Sequence, residues 1–200
     1  PVLTIASSVE GEEPALLECV VRLLAMPAPP RIVWVPRSPQ RFDAVAHLLR
    51  DRGLSVARRA DILRDDLTGP PPEADILLGD SLGEMNFYCA LADLVFVGAS
   101  LVPHGGHNII EPLALGRPVV MGPSIYGITF PAEEARAVGA LTLCADADAL
   151  GDMLLATLAE PAALAQLGDK AQGFAARFTG AADRSADLIE ALLPRRKEFP

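Results

Sequence analysis

Short apolar runs recur along this chain, separated by segments with helical patterning, and that alternation constrains the fold more than any other feature. Val2–Ala6, Arg31–Val35, Leu54–Ala57, Asp75–Leu78, Leu94–Val97, Pro118–Met121 and Leu141–Cys144 read as strands. Most are apolar throughout, which is the pattern of a parallel sheet covered on both faces. Helices are expected between them, at about Pro14–Met26, where Pro14 sits at a first helical position, at Arg41–Arg50, stopped by Gly53, and at Glu84–Ala90. Three further helical segments, Ala147–Ala159, Pro161–Phe178 and Ala182–Leu193, form a tail over about 147–193. Residues 58–74, charged and then proline-rich through Gly69-Pro70-Pro71-Pro72, read as a connection at the sheet edge. The expectation is α/β: a Rossmann-like parallel sheet with helices on both faces, residues 1–200 forming one domain.

Composition excludes several function classes. Half of the 200 residues are apolar, enough for a sizeable core. A net charge of −9 with few basic clusters argues against nucleic acid as a partner. Cys19, Cys89 and Cys144 are far apart and odd in number, with no CxxC, and read as small core residues in a reducing compartment. His104 and His107 lie close, but no carboxylate or cysteine spacing makes them a metal pair, and no metal is expected. No run approaches the ~20 apolar residues of a membrane span, and no signal peptide is expected. Pro1 leads straight into a strand with no methionine, so the chain is expected to begin inside a longer protein.

In parallel sheets ligands bind outside the carboxyl ends of the strands. The turns there are Ser7–Glu13, Pro36–Gln40, Gly79–Gly83, Gly98–Asn108 and Gly122–Gly127, and all the glycine-rich or unusual polar segments fall among them. The most informative stretch is Gly98–Gly122, GASLVPHGGHNIIEPLALGRPVVMG. A strand ends in small residues, Gly105 and Gly106 open a short helix, Asn108 and Glu111 occupy its first turn, and a second strand follows. Glycines allow close backbone approach, and unpaired N–H groups of a first helical turn face an anion. A carboxylate at Glu111 repels phosphate but accepts hydrogen bonds from ribose hydroxyls, so the segment points to a nucleotide or nucleotide sugar. Asn108 and Glu111 also fit a capping box, and the two readings are compatible.

Other strand-end residues extend the site. Arg37, stiffened between Pro36 and Pro39, suits bidentate recognition of phosphate or carboxylate, or else is a solvated surface arginine. Gly79-Asp80-Ser81-Leu82-Gly83-Glu84 reads as a backbone cradle entering a helix, or a turn capped by Asp80 or Ser81. Glu10, Glu12 and Glu13 crowd the first turn, where the helix dipole favours them. His104 and His107 bracket the glycine pair, where a histidine either donates to a phosphate or sugar or serves the structure.

Four blocks, ASSVEGEE (Ala6–Glu13), VPRSPQRF (Val35–Phe42), LLGDSLGEM (Leu77–Met85) and FVGASLVPHGGHNIIEPLALGRPVVMGP (Phe96–Pro123), resemble the 3-deoxy-D-manno-octulosonic acid (Kdo) transferases of lipopolysaccharide synthesis in order and spacing. The resemblance implies a GT-B glycosyltransferase, two Rossmann-like halves across a cleft, with this chain as the C-terminal, donor-binding half. It implies CMP-Kdo as donor, a lipid A precursor as acceptor, and a place at the cytoplasmic face of the bacterial inner membrane. The family's catalytic carboxylate and membrane-associated acceptor surface belong to the N-terminal half, so no catalytic residue is expected here and the fragment alone is expected to be inactive. Carried onto matching positions, Arg37, Ser38, Gly79, Leu82, Gly83, Glu84, Gly105, Gly106, Asn108 and Glu111 are implied donor-nucleotide contacts. No cofactor is implied, since a cytidylate donor has one phosphate and the sequence lacks an acidic cluster for magnesium. Val9 and Ser38 stand where the family usually has histidine, at positions expected to face the cleft. Two alternatives share the fold: a GT-B-like transferase or epimerase using another nucleotide sugar, and a non-catalytic nucleotide-binding module serving a partner chain.

Overall fold

The computed structural model describes residues 1–64, 66–178 and 180–192. Seven strands, β1 (Val2–Ser8), β2 (Arg31–Pro36), β3 (Val56–Arg58), β4 (Ile76–Leu78), β5 (Leu94–Val97), β6 (Val119–Met121) and β7 (Leu141–Leu143), form one sheet in the order β3-β4-β2-β1-β5-β6-β7. Every pairing is parallel. The apolar runs follow from that topology, because a strand flanked by helices on both sides has no face for water. Along β5, Leu94 and Phe96 join one core cluster while Val95 and Val97 join the other, as the two-residue period of a strand requires.

The first cluster is covered by α1 (Glu13–Leu24), α2 (Pro39–Asp51) and α7 (Ala147–Leu158), through Leu16, Val20, Leu23, Val45, Leu49 and Leu154. The second lies under α4 (Met85–Leu91), α5 (Ile110–Ala114), α6 (Thr129–Ala137) and the later part of α8 (Pro161–Ala176), through Cys89, Leu113, Ala135 and Phe174. All three cysteines are buried and free. A final helix, α9 (Ala181–Leu192), exposes Leu188, Ile189 and Leu192. The expected helical tail is therefore three helices, with Leu193 outside the described residues. Among those residues no helix is long and apolar enough to cross a membrane.

Three elements depart from the sequence reading. The 58–74 connection contains a short helix, α3 (Arg59–Ile62), whose four residues carry too little periodicity to be read. Thr129–Ala137 forms α6, which sequence patterning missed because Pro131 and the extended Phe130 interrupt it. The expected strand Leu54–Ala57 lies slightly later, at Val56–Arg58, on the sheet edge.

Candidate functional site

Strand order reverses at the β1/β5 boundary, and a cleft of about 290 Å³ opens at the carboxyl ends of the strands around that point. Its walls come from the ends of β1 (Ala6, Ser7), β2 (Val35, Pro36, Arg37) and β5 (Val97). The β4–α4 loop adds Ser81, Leu82 and Gly83, α4 adds Met85, Tyr88 and Cys89, and the segment entering α5 adds His107, Asn108, Glu111 and Pro112. Four of the five strand-end turns named from sequence thus meet in one cavity. Gly122–Gly127 does not line it. Two non-glycine residues beside the switch point, Ser7 and Ala99, are left-handed, each with φ of 58°. That conformation is uncommon for side-chain-bearing residues and turns the chain sharply at the ends of β1 and β5.

Glu12 holds those two turns together. It is 1% exposed; its Oε1 accepts the N–H of Val9 (3.0 Å) and Ala99 (2.7 Å), and its Oε2 those of Ser100 and Leu101 (3.2 Å each). Burial pushes the Glu12 carboxyl up, and the four N–H groups pull it back toward ionisation. The anion-binding nest after β5 is therefore filled from within the chain. Its neighbour Glu13, also buried, pairs with Arg41 at the start of α2, and Glu10 meets Arg41 at 3.1 Å. Trp34 Nε1 donates to Ser8 Oγ at 2.9 Å behind the same wall.

A second network fixes the β4–α4 loop. Arg59, 7% exposed, donates through Nε and Nη2 to both oxygens of Glu84 at 2.7 and 2.5 Å, and to the carbonyls of Leu63 and Arg64. Ser81 Oγ donates to Glu84 and shares a hydrogen bond with Tyr88 Oη. Desolvation raises the Glu84 carboxyl, but hydrogen bonds from Ser81 and Arg59 outweigh it and hold the group below the usual range. Asp80 accepts the Ala60 N–H at 2.9 Å and Arg58 Nε at 2.6 Å, so it caps α3 rather than α4.

Of the ten residues singled out from sequence, Arg37, Leu82, Gly83, Asn108 and Glu111 line the cleft. Ser38, Gly79, Glu84, Gly105 and Gly106 are not among its lining residues. Ser38 opens α2 in an extended conformation. Gly79 is small because Tyr88 packs on it: a Cβ there would lie 2.8 Å from the ring. Gly105 (φ +86°) accommodates the backbone of Gly127, whose nitrogen would be 2.8 Å from a Cβ. Val9 and Ser38, expected to face the cleft, are not among its lining residues; Val9 turns its N–H to Glu12 instead.

The helix geometry differs from expectation too. α5 begins at Ile110 and has only five residues, so it offers no extended helix N-terminus, and the glycine pair lies in the preceding loop. Asn108 Oδ1 accepts the Ile110 N–H at 2.9 Å, and its Nδ2 donates to Glu111 Oε1 at 3.1 Å. Glu111 thus meets the asparagine side chain, not the backbone N–H of a capping box. Among the lining residues outside the ten are Ser7, Tyr88 and His107. Ser7 carries no signal before its φ is known, Tyr88 is buried at its ring, and His107 belongs to the glycine segment itself. Cys89 is pushed up to about 12 by burial, so it is a neutral thiol and no nucleophile at physiological pH. Among the described residues no group of three His, Cys, Asp or Glu side chains is arranged to hold a metal ion.

What remains is a polar, open cavity with a guanidinium at one wall, an imidazole beside it and a carboxylate braced by an amide at the other. Such a cavity accepts an anion near Arg37 and hydroxyls near Glu111.

Comparison with known proteins identifies the family. No family model matches the chain. The 3-deoxy-D-manno-octulosonic acid transferase of Bordetella pertussis is 40% identical over 95% of the chain. The crystal structure of the C-terminal CMP-Kdo binding domain of WaaA from Acinetobacter baumannii is 35% identical, with a TM-score of 0.76, covering 86% of this chain and 87% of that one. This chain belongs to the Kdo transferase family. It spans about half the length of the curated relatives it matches, 44% of the B. pertussis protein and 45% of the Haemophilus influenzae one. WaaG, a glycosyltransferase of lipopolysaccharide biosynthesis, shares the fold alone, at 16% identity and a TM-score of 0.58 over 94% of this chain and 46% of its own. The seven-stranded sheet of this Kdo transferase family member is accordingly one half of a GT-B architecture.

Proposed function

We propose that this chain is the donor-binding half of an enzyme that transfers Kdo from CMP-Kdo to a lipid A precursor. The observation that carries the reading is its likeness, at 35% identity along most of both chains, to a domain described as CMP-Kdo binding. The cleft supplies supporting chemistry. Arg37 holds the phosphate or the Kdo carboxylate through its fork, Glu111 accepts ribose hydroxyls, and Leu82 and Gly83 close over the nucleotide. The acceptor, the catalytic carboxylate and the contact with the cytoplasmic face of the inner membrane belong to a second half opposite this one. On this reading the chain alone transfers no Kdo.

Calorimetric titration of this chain with CMP, UMP and UDP tests the reading. CMP is expected to bind, weakly because half of the cleft is elsewhere, and more tightly than UMP or UDP. Equal affinity for all three, or a preference for UDP, overturns the cytidylate assignment.

A further inference from the structure

We propose that His107 is the second anion contact of the cleft, donating a ring N–H to the donor phosphate beside Arg37. This rests on the donor-binding reading above and deepens it. His107 lines the cavity together with Arg37, Asn108 and Glu111, at the end of the glycine segment that closes against the β6–α6 loop. Its Nε2 is shielded from solvent and has no hydrogen-bond partner. An imidazole nitrogen desolvated without a partner costs free energy that nothing in the chain returns, and in a ligand cavity the missing partner is supplied by the ligand. A ligand contact requires the ring to turn about Cβ–Cγ and bring a nitrogen to the cavity.

The surroundings select the sign of that ligand. Arg37 and His104 both act on the ring to disfavour its cationic form, and burial acts the same way more strongly. The other titratable groups lining the cavity are Tyr88 and Cys89 on α4 and Glu111 on α5. Tyr88 and Cys89 are neutral at physiological pH, since burial raises both, and Glu111 is engaged by Asn108. The cleft therefore favours neutral His107, beside the exposed Arg37. An arriving phosphate reverses the balance: it neutralises Arg37, supplies negative charge to the ring, and favours imidazolium. Binding of the phosphate is thereby coupled to uptake of a proton at His107, and the contact gains strength as charge accumulates on the phosphate.

With only three histidines in the chain, ring resonances can be followed by NMR and assigned with His104→Gln and His107→Gln. In the free chain His107 is expected to titrate below the ordinary histidine value of about 6.5. Saturating CMP should raise its midpoint by about one pH unit or more, whereas cytidine, which lacks the phosphate, should leave it in place. His107→Gln should weaken CMP several-fold at pH 6 and less at pH 8, with cytidine affinity unchanged. If CMP shifts the backbone amides of Gly83, Asn108 and Glu111 while the His107 midpoint stays fixed, or if cytidine moves it equally, this inference is overturned and the nucleotide reading stands. If CMP moves none of these signals, both are overturned.

Discussion

Asn108 braces Glu111 through its side chain: Nδ2 donates to Oε1 at 3.1 Å while Oδ1 accepts the Ile110 N–H at 2.9 Å. One amide therefore does two things, closing the start of α5 and orienting a carboxylate at the edge of the cleft. The roles separate by mutation. Glu111→Gln keeps an acceptor for Asn108 and should change the melting temperature little. As a hydroxyl ligand it loses a charge-assisted hydrogen bond, about 1.4 kcal/mol or tenfold in CMP affinity. Asn108→Ala removes the bond to Ile110 and should cost about 1 kcal/mol of stability as well as affinity. Paired melting and CMP-titration measurements check this. Early melting of Glu111→Gln with normal CMP binding would make the carboxylate purely structural.

Arg37 is exposed at the end of β2, so its worth to folding is small. Arg37→Lys keeps the charge and loses the planar fork. CMP affinity is expected to fall several-fold with no measurable change in the unfolding midpoint. Unchanged affinity would return Arg37 to the solvated surface.

The fold was legible because its signals are local. Ile32–Val35 and Leu94–Val97 are apolar on both faces, and parallel topology follows from that. The cleft was legible because strand-end turns share one edge of such a sheet. What sequence could not give were the long-range ties. Glu12 reaches backbone 87 to 89 residues away, and Arg59 reaches Glu84 across 25, and neither pairing leaves a periodic trace. The hold of Arg59 and Ser81 on Glu84 is therefore invisible to local patterning. The close approach of Tyr88 to Gly79 and of Gly127 to Gly105 is likewise a long-range contact that no local pattern reveals.

The glycines should respond unequally to alanine. Gly83 (φ +79°) and Gly105 (φ +86°) share a left-handed backbone, so each alanine carries about 1–2 kcal/mol of conformational cost. At Gly83 the new Cβ meets nothing within 4 Å, while at Gly105 it meets the Gly127 nitrogen at 2.8 Å. Gly105→Ala should therefore be clearly the more destabilising in denaturant titration. Equal losses would show that the 126–127 loop yields freely.

His107 also predicts a pH dependence of stability. Its pKa is lowered in the folded chain, chiefly by burial, so the unfolded state binds the proton more tightly. The stability it contributes is complete above the unfolded value of about 6.5 and is lost as pH falls through the lower folded value. Wild-type stability should drop across that window relative to His107→Gln. Parallel pH profiles of the two proteins would remove His107 as the titrating group.

The Arg59–Glu84 pair offers the sharpest separation of scaffold from ligand contact. Arg59 is nearly buried and satisfies both oxygens of Glu84 as well as two carbonyls of the 63–64 turn, so it ties the sheet-edge connection to the loop that forms one wall of the cleft. Removing one member of a buried pair typically costs 3–5 kcal/mol, and the partial exposure of Glu84 reduces that here to about 2–3 kcal/mol for Arg59→Leu. Arg59→Lys keeps the charge but cannot reach both oxygens and both carbonyls, and should recover only part of the loss. CMP affinity should fall in both variants in step with disorder of the 79–84 loop, read by hydrogen exchange at Leu82 and Gly83. If Arg59→Leu loses stability while exchange at those amides and CMP affinity stay at wild-type values, the network supports the fold without shaping the cleft.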